Sequence, residues 1–129
     1  MAEDYKGNEK REFLRYDYSS PLSYKEIDLF SDKNTISKLF EAVSKNLSVS
    51  GISFISQKAP NIAGVLLMNL DYGTAEVCRE IEKRALIVDN KLIGKVVRIE
   101  NREDGFFDVG VAFVKKTNRI ADYLKGLVK

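Results

Sequence analysis

Two apolar runs near the C-terminal end, Leu92-Ile93-Gly94-Lys95-Val96-Val97-Arg98-Ile99 and Phe106-Phe107-Asp108-Val109-Gly110-Val111-Ala112-Phe113, flank the polar segment Asn101-Arg102-Glu103-Asp104-Gly105. Both runs are rich in β-branched and aromatic residues, and Asp104-Gly105 supplies the positive φ that a tight reversal needs. The pattern predicts an antiparallel hairpin, so the rest of the chain must build a sheet around it. Further strand patterns fall upstream. Leu22 to Ile27 follows Pro21, which is tolerated at a strand's first position and not at its centre. Ile52-Ser53-Phe54-Ile55 alternates at period two, and Gly64 to Leu70 is a short apolar run bounded by turn residues.

Helical patterns compete with these. Ile36, Leu39, Phe40 and Val43 fall at i, i+3, i+4 and i+7, which predicts a short helix within 28–44. Cys78, Ile81 and Ala85 share one side of 74–85, a second helical insertion. Ile120, Tyr123, Leu124, Leu127 and Val128 predict a terminal helix over 117–128, with Thr117 and Asn118 as N-caps. The expected class is mainly β: a small antiparallel barrel of five or six strands with a C-terminal α-helix and short helical insertions, closure removing exposed edges.

Composition narrows the chemistry. The 129 residues suit one domain. With 21 Lys+Arg against 19 Asp+Glu, the net charge of +2 gives no general field for DNA or RNA. Histidine is absent, which removes the commonest general base and metal ligand. The single cysteine, Cys78, forms no intrachain disulfide and reads as a small buried hydrophobe. No metal or cofactor is expected, nor an enzyme, since the acids are scattered without a paired constellation. No leader or membrane span is visible, so a cytoplasmic location is expected.

Two short units carry the remaining chemistry. Arg11 and Arg15 end an arm, residues 1–15, that holds four acids and four bases and no apolar periodicity. Their guanidinium forks suit phosphate oxygens or a purine, although two arginines taken alone also read as solvated partners of Glu9 and Glu12. Asn46, Ser48 and Gly51 form the second unit. On an extended segment Asn46 and Ser48 share a face, the amide oxygen accepting from guanine N–H groups and the hydroxyl meeting a phosphate, while Gly51 supplies a left-handed turn and close approach. The same stretch also reads as an ordinary Asn/Ser/Gly turn.

Arg11-x-x-x-Arg15, then Asn46-x-Ser48-x-x-Gly51, then Gly94-Lys95-Val96-Val97-Arg98 and Val109-Gly110-Val111-Ala112-Phe113 resemble, in that order, the PilZ domain family over roughly Lys10 to Leu127. The resemblance implies a six-stranded antiparallel β-barrel with a helix after the last strand, and binding of the bacterial second messenger cyclic di-GMP (c-di-GMP). By that resemblance Arg11 and Arg15 grip guanine edges and phosphates from the arm, Asn46 and Ser48 meet a guanine from the barrel wall, and Gly51 shapes the turn. Arg98 and Lys10 are secondary candidates; each also reads as an ordinary surface cation. Asn at position 46 gives a neutral hydrogen bond where some family members have Asp.

The resulting expectation is a non-enzymatic receptor that orders its arm on binding c-di-GMP and relays the signal to an effector protein of unknown identity, with homo-oligomers open. The alternative is a PilZ-like adaptor that binds no nucleotide and works through protein contacts. Its basic end, with five bases and one acid over 114–129, a local charge of +4, suits an acidic partner. A small barrel for single-stranded nucleic acid needs exposed aromatics over a basic groove, and the aromatics here mostly fall at core-facing positions.

Overall fold

The structure is a computed structural model that describes residues 16–17, 21–28, 36–70 and 76–128. Its strands are β1 (Tyr16–Asp17), β2 (Pro21–Ile27), β3 (Phe40–Leu47), β4 (Gly51–Ser56), β5 (Val65–Leu70), β6 (Ile87–Val88), β7 (Lys91–Asn101) and β8 (Phe107–Phe113). Among the described residues there are two helices, α1 (Glu76–Arg84) between β5 and β6 and α2 (Ala121–Val128) after β8.

All pairings are antiparallel. The order β3-β2-β5-β7-β8-β4 returns to β3 through the β3–β4 pair, so six strands close into a barrel. Two-residue β1 lies on the edge of β3 that β2 also uses, with Tyr16 opposite Leu47 and Asp17 opposite Asn46. Every strand predicted from the sequence is present, Pro21 opens β2 as expected, and Gly105 turns the late hairpin at φ 88°.

The interior is filled by inward-facing side chains such as Tyr24, Phe54, Leu66, Met68, Leu92, Val96 and Val109, each 1% exposed or less. A second cluster, including Val65, Leu67, Ile93 and Leu124, packs the α2 side. Inner and outer clusters therefore take alternate residues of β5. That is why Val65 to Met68 reads as an unbroken apolar run: both its faces are covered.

The helix expected within 28–44 is corrected where its stripe Ile36, Leu39, Phe40 and Val43 falls, residues 29–35 lying outside the described set. From Phe40 onward that stretch is strand β3, and Ile36, Leu39 and Val43 are 38%, 52% and 48% exposed. The residues that β3 buries are Ala42, Ser44 and Leu47, and small or polar side chains leave the period-two signal silent. The second insertion is helical as expected, over Glu76–Arg84, with Ile81 fully buried in the interior cluster. The side chain of Cys78 and residues 1–15, the arm, lie outside the described set. The terminal helix begins at Ala121, later than expected. Asn118 precedes it, its Oδ1 accepting from Ile120 N–H at 3.0 Å and its carbonyl from Ala121 N–H at 3.0 Å.

Candidate functional site

Strand register assembles a row of residues across the outer wall of the barrel. Asp17 faces Asn46, Asn46 faces Ser53, Ser53 faces Gly110, and Gly110 faces Arg98. Adjacent strands are spaced about 4.8 Å, so the stretch from Asn46 to Arg98 spans about 14 Å. Two bulges shape it. The register shift between Ser44 and Asn46 keeps Leu47 in the core while Asn46 stays half-exposed, and the shift between Val96 and Arg98 does the same between buried Val96 and Arg98.

Asn46 Nδ2 donates to Ser53 Oγ at 3.4 Å. Its Oδ1 has no protein partner among the described residues, which leaves a neutral acceptor on the wall. Arg98 lies at the far end, its side chain 38% exposed and its Nη1 3.0 Å from Glu100 Oε1. Beside Asn46, Lys45 Nζ is 3.2 Å from Asp108 Oδ1, and Arg102 Nη1 approaches Asp108 Oδ2 at 3.8 Å. Arg102 also grips Asp104 at 3.0 Å, which holds the exposed Asp104 carboxyl below its ordinary value.

Ser48 and Gly51 form the hairpin turn between β3 and β4. Ser48 Oγ accepts from Gly51 N–H at 3.2 Å and Ser50 N–H at 3.3 Å, and it lies 3.3 Å from the Gly51 carbonyl, to which it donates. The hydroxyl is thus committed to the turn and only 8% of the residue is exposed. The left-handed turn expected of Gly51 is also corrected: Gly51 starts β4 and has no positive φ. Close approach is what requires glycine there, since a β-carbon would stand 2.2 Å from the Val111 carbonyl oxygen.

A groove of about 610 Å³ is lined by residues of β2, β3 and β4, among them Pro21, Ser23, Glu41, Val43 and Ile55, and by none of the row. Of the residues singled out from the sequence, Asn46 and Arg98 meet on one row, while Ser48 and Gly51 build the neighbouring turn. Lys10, Arg11 and Arg15 lie outside the described residues. Sequence reading missed Ser53, Gly110 and Lys45. Ser53 and Gly110 were legible only as parts of strands, because cross-strand register, not local pattern, makes them neighbours of Asn46 and Arg98.

No protein-family model matches the sequence, and no curated protein matches it. Among solved structures, the chain is similar to the PilZ domain with c-di-GMP of YcgR from Escherichia coli. The TM-score is 0.52 at 10% identity, covering 93% of this chain and 89% of that one. The closed six-stranded antiparallel barrel with its short C-terminal helix is a PilZ-like fold. No helix among the described residues is long and apolar enough to cross a membrane.

Proposed function

We propose that this chain is a cytoplasmic receptor for c-di-GMP that works by binding rather than catalysis. Arg11 and Arg15 clasp the ligand from the arm, with Lys10 adding phosphate attraction, and Asn46 and Arg98 meet it on the barrel wall. Ser48 and Gly51 act by shaping the turn beside the row. The observation that carries the reading is the pairing of β1 with β3: Tyr16, which directly follows Arg15 in the sequence, is opposite Leu47, between Asn46 and Ser48. Arg15 and Asn46 are 31 positions apart in the sequence, so a strand pair that starts one residue after Arg15 and reaches Asn46 supports a site shared by the RxxxR and NxSxxG units. The likeness to a PilZ domain with c-di-GMP supports the ligand.

The chemistry fits a guanine. An amide oxygen without a protein partner among the described residues accepts from the N1–H and N2–H groups of guanine, whereas adenine presents an acceptor at N1. Ordering of the arm is the relay to an effector. A ligand with Kd near 1 μM supplies about 8 kcal/mol, which offsets ordering a few residues at about 1–2 kcal/mol each. Isothermal titration with c-di-GMP tests this: Arg11→Ala and Arg15→Ala abolish most of the heat, and unchanged heat and stoichiometry in both variants removes them from the site.

A second reading, a nucleotide-independent adaptor, is favoured by one observation. Ile120 and Tyr123 are 43% and 51% exposed beside Arg119 and Lys125, an apolar and basic surface suited to an acidic partner. Partner capture that persists in cells lacking c-di-GMP supports the adaptor over the receptor.

A further inference from the structure

Arg98 does not stand away from the barrel. A β-carbon built on Gly110 would meet Arg98 Nε at 3.1 Å, Nη2 at 3.2 Å and Cβ at 3.3 Å, so the arginine side chain runs across the space that glycine leaves empty. Glu100 holds Nη1 at 3.0 Å from the other side. Ser53, 3% exposed, continues the same row towards Asn46. The atoms nearest Gly110 are Nε and Nη2, one donor edge of the guanidinium, and Nη1 is spent on Glu100, so the donor edges are taken and the faces of the group remain for a ring. Such a group stacks on a planar ring better than it forks a phosphate.

We propose that Gly110 is a positioning residue that beds the Arg98 guanidinium against the barrel as a stacking platform for one purine base of the ligand. The Asn46–Ser53 pair, about 14 Å away at the most, engages a separate part of the same molecule. The inference rests on the receptor reading above and adds to it a residue that carries no functional group of its own. Any side chain at position 110 lifts the platform. The two closest atoms, Nε and Nη2, belong to the far part of a flexible side chain, and the Arg98 β-carbon at 3.3 Å needs a shift of only a few tenths of an ångström, so the barrel tolerates Gly110→Ala.

The test is a double-mutant cycle on c-di-GMP affinity by calorimetry, with melting temperature as the control for folding. Stacking of one base is worth about 1–3 kcal/mol, and 1.4 kcal/mol is tenfold, so Gly110→Ala and Arg98→Ala each weaken binding by about tenfold. In the Arg98→Ala background, Gly110→Ala changes nothing further. Arg98→Lys keeps the charge, loses the plane and weakens binding as Arg98→Ala does. Equal losses from Gly110→Ala in both backgrounds, wild-type affinity in Gly110→Ala, or full affinity in Arg98→Lys overturns the platform while leaving the receptor reading intact. A wild-type protein that gives no heat overturns both.

Discussion

Asn46 and Ser53 face each other across the β3–β4 ladder, with Asn46 Nδ2 3.4 Å from Ser53 Oγ. With Nδ2 directed at Ser53, Oδ1 is left without a protein partner among the described residues. Asn46→Asp places a charge at that acceptor, and charge-assisted hydrogen bonds are roughly twice as strong as neutral ones. Calorimetry is expected to show c-di-GMP binding several-fold tighter in Asn46→Asp and about tenfold weaker in Asn46→Ala. Equal affinity in all three proteins would take Asn46 out of the site.

Gly51 is constrained by packing. With the Val111 carbonyl oxygen 2.2 Å from where a β-carbon would sit, Gly51→Ala forces β4 and β8 apart. Overpacking of this kind costs about 1–3 kcal/mol. Urea unfolding should show that loss, and a midpoint unchanged from wild type would contradict the close approach.

Tyr24 connects the core to alkaline stability. Burial raises its phenol above the ordinary 10.0, against the opposing effect of the hydrogen bond to Ser56 at 3.1 Å. A group whose folded pKa is raised stabilises the fold fully below the unfolded value and loses that contribution as pH rises through the folded one. The wild type therefore loses stability above about pH 10 more steeply than Tyr24→Phe, when both are followed by thermal melts. At neutral pH the variant lacks the bonds to Ser56 and to the Lys58 carbonyl and is weaker by about 1 kcal/mol. Parallel profiles from pH 9 to 11 would exclude the phenol as a source.

Two residues of α2 separate packing from surface. Leu124 is fully buried in the outer cluster, and truncating such a leucine costs about 2–5 kcal/mol. Tyr123 is 51% exposed, so Tyr123→Ala stays within about 0.5 kcal/mol of wild type. Denaturation of both variants distinguishes a helix docked by Leu124 from one held at both faces.

The strands of the barrel were legible where the pattern was local. The run at 64–70, the alternation at 52–55 and the Asp104-Gly105 hairpin all carry signals within a few residues. Strand β3 was misread because its inward residues are Ala42 and Ser44, while apolar Val43 points outward. The β6–β7 hairpin was also missed; its turn residues Asp89 and Asn90 both take positive φ, at 52° and 64°, and that Asp-Asn pair was the available signal. For the site, Asn46 and Arg98 stood out by resemblance. Ser53 did not, and Gly110 entered only within a strand run, since only register and two bulges bring four strands into one row. The committed hydroxyl of Ser48 was equally invisible, because its partners, backbone groups and the Ser50 hydroxyl, all lie in its own turn.

The most direct measurement is a map of backbone amide chemical shifts during titration with c-di-GMP, with GTP and cyclic di-AMP as controls. The account predicts saturable shifts at Tyr16, Asp17, Asn46, Ser53, Gly110 and Arg98 with c-di-GMP, and far weaker ones with either control. Shifts confined to α2, or none on that row at saturating c-di-GMP, would contradict it.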